Sequence, residues 1–337
     1  MADPHGQISM VSARDSRLRG NDVIFGKPAV GQRMIEPKSQ LPDFLVLGAR
    51  KSGTTSLYRY LKSHPEVYLS PIKEPRYFAF PDTPPVFGGP DRSVPVVWKL
   101  EDYRRLFAAR TTERVAGEMS PLYLYSSCAP GAIRKLIPDA KLIAILRDPA
   151  ERAYSSFCHN RRDGIEPLAD FAAALDSEEK RIAQGWWSRY HYRRQGFYVP
   201  QLKRYLDLFP RQQMLILVYD DMVADCPGFL KRICLFLGVD ENHTFDTSER
   251  DNVTVGIPRS LLLRRVLRSA GRAKSMIRGT VPLKMRSSLF RKFSKLLWAP
   301  KPEFRPEVRA QLVCAFKPDI LELQKIIDRD LSRWLRC

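Results

Sequence analysis

One stretch constrains this chain more than any other: Phe44 to Leu61, FLVLGARKSGTTSLYRYL. Apolar β-formers from Phe44 to Leu47 stop at Gly48. From about Ser52 the apolar residues recur at helical spacing, with Leu57, Tyr60 and Leu61 on one side. The segment therefore reads as strand, turn and helix, with Lys51-Ser52-Gly53-Thr54-Thr55 at the junction. Gly53 lets backbone approach a ligand closely. The unpaired N–H groups and the dipole of a helix start favour an anion there. Lys51 adds a positive charge, and Thr54 and Thr55 add hydroxyl donors. A Walker A loop would place its lysine after the last glycine, followed by a metal-binding hydroxyl. Here Lys51 precedes Gly53, so the pattern predicts an anion site without the usual arrangement for a magnesium nucleotide.

Four further strands are expected at Val67–Leu69, 115–118, Lys141–Leu146 and 214–219, separated by helical segments. That alternation predicts an α/β fold with a central, mostly parallel sheet flanked by helices. The aliphatic run Lys141–Leu146 suits a central strand covered on both faces. It delivers Arg147 to the carboxyl edge of the sheet, where open α/β sheets bind ligands. Asp148 is placed to cap the next helix, with Pro149 at its first position. Arg147, Arg152 and Ser155 can present guanidinium and hydroxyl groups to a second anion. Glu74 lies in the loop after the second strand, between Pro71 and Pro75, also near the ligand edge. Residues 79–100, rich in Pro and Gly, read as an insertion loop. Single helices are expected over 168–184, 196–209 and 305–335.

The net charge of +19 implies an anionic partner, such as a nucleotide, an acidic glycan or a membrane surface. Thirteen of these charges fall in 257–309, where fifteen Lys or Arg face only Glu303 and Glu307. Apolar residues interleave there, so a basic helical insertion at about 257–300 is expected, forming a wall for an acidic acceptor or lying on an anionic membrane surface. The six cysteines lack metal-ligand spacing and read as free thiols, and the five scattered histidines suggest no metal site. No run approaches a membrane span and no secretory h-region is visible, so a cytoplasmic location, peripheral to a membrane at most, is expected. Residues 1–40 lack periodicity and are expected to be a disordered extension ahead of one domain at 41–337, with Met34 a candidate natural start.

Taken together, GARKSGTTSL and ILRDPAERAYSSF resemble the 5′-phosphosulfate loop and the 3′-phosphate motif R-[DN]-P-x-x-R-x-x-S of the PAPS-dependent sulfotransferases. Within that family the chain is most similar to the carbohydrate, heparan-sulfate-like branch in its bacterial form. KEPRYF, GEMSPLYLYS, GFYVPQLKRYLDLFP and the ending FKPDILELQKIIDRDLSRWL extend the similarity over about 43–245 and 302–335. The resemblance implies a P-loop-like three-layer fold and in-line sulfuryl transfer from PAPS to an acceptor, with PAP as product and no metal. It implies that Lys51, Ser52, Gly53, Thr54 and Thr55 hold the 5′-phosphosulfate and that Lys51 steadies the leaving oxygen. Arg147 and Ser155 would hold the 3′-phosphate, Tyr198 would contact the nucleotide, and Glu74 would be the general base. The acceptor would be a hydroxyl or amine of a glycan, glycolipid or small molecule, with no specific nucleic acid partner. Arg76 stands where some glycan members have His, and Met119 where some have Lys; both positions face the acceptor in those members. Two rival readings are a P-loop kinase or NTPase, and a non-catalytic binder of polyanions or membranes through 257–309.

Overall fold

The computed structural model describes residues 40–90, 94–248, 256–258, 298–300 and 302–336. Five strands form one sheet: β1 (Phe44–Gly48), β2 (Val67–Leu69), β3 (Val115–Met119), β4 (Lys141–Leu146) and β5 (Met214–Val218). Their order is β2-β3-β1-β4-β5, and every pairing is parallel. The chain leaves β1 toward β2 on one side and leaves β4 toward β5 on the other. The switch point therefore lies between β1 and β4, where ligands of such sheets bind.

The strands alternate as a two-faced sheet requires. Leu45, Leu47, Leu142, Ala144 and Leu146 belong to one buried cluster. Phe44, Val46, Ile143 and Ile145 belong to another. The first face is covered by α2 (Leu100–Arg105), α3 (Ala129–Leu136), α4 (Pro149–Arg162), α5 (Phe171–Asp176), α7 (Tyr198–Leu206) and α10 (Pro306–Ile327). The second is covered by α1 (Thr54–Lys62), α8 (Tyr219–Ala224) and α9 (Cys226–Leu237). The result is the expected three-layer α/β arrangement. A further helix, α6 (Glu178–Ala183), packs at the edge of the first layer.

Three helices differ from the sequence expectation. The segment 168–184 breaks into α5 and α6 at Ser177, whose hydroxyl donates to the Ala173 carbonyl at 2.8 Å. Directly after it, Glu178 turns inward and accepts the backbone N–H groups of Arg193 and Arg194, each at 2.7 Å. That pairing fixes where the second helix begins. Helix α7 starts at Tyr198, where both oxygens of Asp319 accept the N–H groups of Tyr198 and Val199 at 2.8 and 3.1 Å. The last helix stops at Ile327 because Asp328 takes a left-handed conformation, φ 51°.

Residues 1–39 and most of the basic segment lie outside the described residues, so the expected extension and helical insertion do too. What is described of the segment is its two ends: β6 (Gly256–Pro258) pairs antiparallel with β7 (Trp298–Pro300). Among the described residues no helix is long and apolar enough to cross a membrane.

Gly117 shows how tightly the sheet is packed. It stands opposite Phe44 in the β1–β3 register, and a Cβ there would meet the Phe44 ring at 2.3 Å. Gly117→Ala is therefore expected to lower stability by roughly 2 kcal/mol through overpacking. A urea denaturation curve with an unchanged midpoint would contradict this account.

Candidate functional site

The carboxyl ends of β1 and β4 open into a cavity of about 630 Å³. Lys51, Gly53, Thr54, Thr55, Glu74, Arg147 and Ser155 all border it. The two halves are joined directly. Arg147 Nη1 donates to the Lys51 carbonyl at 3.0 Å, and its guanidinium lies 5.0 Å from the centre of the Tyr219 ring. Tyr219 in turn floors the loop: a Cβ on Gly53 would meet Tyr219 Cε2 and Met222 Sδ at 3.0 Å each. Gly53 also holds φ +82°, so both conformation and space require glycine there.

The starts of the two helices at the site differ. Asp148 caps α4, accepting the N–H groups of Ala150 and Glu151 at 2.9 and 3.1 Å. Helix α1 begins at Gly53 with no side-chain cap and no acidic residue in its first turn. Its N–H groups are left for an anion from outside. Beside them Ser52 Oγ is buried without a partner. A phosphate-like group fits this cradle.

Positive charge dominates the wall. Arg50, Lys51, Lys73, Arg76, Arg147 and Arg189 border the cavity, against one carboxylate, Glu74, among the described residues. Burial, with Arg50, Arg162 and Arg147 adding repulsion, pushes Lys51 down to about 7. Burial and Arg189 likewise lower Arg50, to about 10. Burial together with Lys51 and Arg50 holds His159 neutral.

Glu74 lies between two of these cations. Arg76 Nη2 approaches its Oε2 at 2.6 Å and Lys73 Nζ its Oε1 at 3.5 Å. Burial alone would raise the carboxyl, but Arg76 and Lys73 outweigh it and hold Glu74 below the usual range. Lys73 also donates to Thr55 Oγ1 at 2.7 Å, which ties the Glu74 loop to the anion loop. The loop is anchored from below as well. The Arg76 N–H donates to Ser120 Oγ at 3.0 Å, and Ser120 donates to Glu118 Oε2 at 2.8 Å. Glu118 is fully buried and also accepts from Tyr103 and Tyr123; burial raises it to about 7.

Three expected site residues stand behind the wall rather than on it. Tyr198 is fully buried, and its hydroxyl donates to the Arg147 carbonyl at 2.8 Å. That bond holds the strand end. Ser52 is buried beneath the loop, and Arg152 points into the core and donates to the Tyr192 carbonyl. Met119 is packed in the core with Phe44 and Leu57, so it offers nothing to an acceptor. Conversely, Arg50 and Lys73, each directly preceding a predicted site residue, were missed although their position was a usable signal. Arg189 is far in sequence and gave none.

The sulfotransferase domain model matches residues 41–318. The chain belongs to this family. A sulfotransferase from Alicyclobacillus acidocaldarius superimposes with a TM-score of 0.69 and 32% identity, over 88% of this chain and 99% of that one. The bifunctional heparan sulfate N-deacetylase/N-sulfotransferase 4 of Mus musculus is 30% identical over 212 residues, 61% of this chain and 23% of that protein. The heparan sulfate glucosamine 3-O-sulfotransferase 3A1 of Mus musculus is 28% identical over 242 residues, 71% of this chain and 56% of that protein. The chain thus spans about a quarter to a half of the length of these two relatives.

The depressed Lys51 makes anion binding dependent on pH. An anion in the cradle favours the charged lysine and raises its proton affinity. Binding then takes up a proton wherever free Lys51 is neutral, which is above about pH 7. Affinity for PAP is expected to fall as pH rises from 7 to 9, approaching tenfold per unit. Calorimetry at pH 8 in buffers of different ionisation enthalpy checks this; Lys51→Ala should abolish the uptake.

Proposed function

We propose that this sulfotransferase-family chain transfers a sulfuryl group from PAPS to a carbohydrate hydroxyl or amine. The observation that carries the reading is the placement of Glu74. It is the sole carboxylate among the described residues bordering a cavity where the Lys51–Thr55 cradle meets Arg147. The heparan sulfate sulfotransferases it resembles support a glycan acceptor. The kinase and passive-binder readings are not favoured by the family match.

PAPS, when bound, supplies the sulfuryl group and a phosphate leaving group. Lys51, the α1 N–H groups, Thr54 and Thr55 hold the 5′ end and offset charge that builds on the departing oxygen. Arg147 and Ser155 hold the 3′-phosphate. Glu74 accepts the proton from the attacking acceptor group. Arg76 and Lys73 keep Glu74 ionised and orient it, while Glu118 and Ser120 fix the loop that carries it. Tyr198 acts through Arg147 as a positioning residue. Catalysis is then mostly alignment plus preorganised charge.

Glu74→Gln is expected to keep PAP affinity and to lower turnover by about 10²–10⁴-fold, the usual contribution of a general base. Lys51→Ala should weaken both. Radiolabelled sulfate transfer beside PAP calorimetry checks the pair; a fully active Glu74→Gln enzyme would refute the base assignment.

A further inference from the structure

A second cavity of about 750 Å³ adjoins the first, and the two share Leu122, Trp187 and Ser188 as walls. Its lining is different in kind. Phe80, Phe87, Tyr125, Trp186, Trp187 and Phe197 border it. Three of them form one aromatic corner. The Phe87 and Trp187 rings lie 4.5 Å apart edge to face, and Phe80 lies 5.8 and 6.0 Å from the two. One wall comes from the Pro/Gly-rich insertion. Gly89 sits so close to Trp186 that a Cβ would meet its ring at 2.6 Å, and the Gly88 N–H donates to the Gly185 carbonyl at 2.8 Å. The insertion loop is thereby closed against 185–187 and shapes the chamber.

Among the described residues, two arginines border this chamber. Arg194 pairs with Glu179, at 2.9 Å, and Arg204 donates to the carbonyls of Leu124 and Tyr125 at 3.2 and 3.0 Å. His191 shares a hydrogen bond with the Tyr125 hydroxyl, and burial pushes its imidazole down to about 4, so it is neutral. The positive charge near the reaction therefore belongs to the donor cavity, and the adjoining chamber offers aromatic surface. The two meet at Arg76, which bonds Glu74 at 2.6 Å and lies 5.7 Å from the centre of the Trp187 ring.

We infer that the acceptor is an uncharged glycoside with an apolar aglycone, its sugar group at Glu74 and its aglycone in the chamber bounded by Phe80, Phe87 and Trp187. The inference rests on the sulfotransferase reading above. A chamber of this size and lining suits a compact apolar body. A polysulfated or uronate-rich chain would have to bring many charges against aromatic faces where, among the described residues, Arg194 is already paired with Glu179 and Arg204 is turned to the Leu124 and Tyr125 carbonyls, at a desolvation cost. Aromatic faces also suit the C–H side of a sugar ring or an alkyl chain, with contact area rather than charge providing affinity.

The test uses the full chain loaded with PAP and a series of alkyl β-glucosides from methyl to octyl, each below its micelle concentration. Quenching of tryptophan fluorescence and calorimetry report binding. Affinity should rise roughly fourfold per added methylene until the chamber is filled. Phe87→Ala should weaken the octyl compound at least tenfold while leaving PAP affinity unchanged, and Phe87→Leu should restore most of the loss. With PAPS in place of PAP, transfer to octyl glucoside should exceed transfer to methyl glucoside and to N-acetylheparosan. Binding that ignores chain length, no binding of any glucoside, or preferred transfer to the polyanion would each overturn the inference. Failure of PAP itself to bind would instead sink the sulfotransferase reading on which it stands.

Discussion

The cavity at the ends of β1 and β4 concentrates more positive charge than its own described walls neutralise. Among the described residues six cations face one carboxylate, and the cost is visible in Lys51, whose charged form burial and Arg50 disfavour, and in Arg50, whose charged form burial and Arg189 disfavour. Such an arrangement persists only if the surrounding fold holds it. The holding groups are carboxylates and carbonyls placed behind the wall. Arg309 of α10 reaches Asp148 at 3.1 Å and Glu151 at 2.7 Å, fixing the start of α4 next to Arg147. Tyr198 bonds the Arg147 carbonyl, and Asp319 of the same long helix fixes the start of α7 that carries Tyr198. Arg50 leans on Asn160, which bonds Tyr192, which bonds Glu166. The C-terminal helix is thus part of the site although none of its residues borders the cavity.

The fold was legible because the strands carry their own labels. A five-strand parallel sheet buried on both faces needs continuous aliphatic runs, and Lys141–Leu146 and Met214–Val218 supply them. Helix interruptions were harder to read. Ser177 and Glu178 break a good amphipathic pattern because Glu178 is needed 15 residues away by the Arg193 N–H, a demand that local periodicity does not register. The ends of α7 and α10 were misread for the same reason: a tertiary carboxylate and a left-handed Asp set them.

At the site, groups that the backbone of a strand end presents were legible, since topology alone places them. Lys51, Thr55 and Arg147 are of this kind. Orientation was not legible. Arg152 follows Arg147 by five positions, yet it faces inward, and the Tyr198 hydroxyl is turned to the Arg147 carbonyl. A sequence states which residues lie near an edge; which way each side chain turns depends on packing from elements 40 and 51 residues distant. The aromatic chamber is a stronger case, since its Phe80–Phe87–Trp187 corner joins segments about a hundred residues apart that carry no motif.

Glu74 unites these themes. A carboxylate held low by Arg76 and Lys73 is securely ionised, but it is also a weaker base than an ordinary glutamate. The same geometry supplies a remedy. Lys73 bridges to Thr55, so a negative group seated on the anion loop lies within reach of the cation that depresses Glu74. Negative charge near a carboxylate raises its affinity for a proton. The anion site and Glu74 are therefore electrostatically coupled, with Lys73 beside both. Filling the cradle compensates the cations around it and, by the same Coulombic effect, raises the proton affinity of Glu74, which suits the base role proposed for it. An isolated glutamate in a cavity without an anion site would lack this coupling.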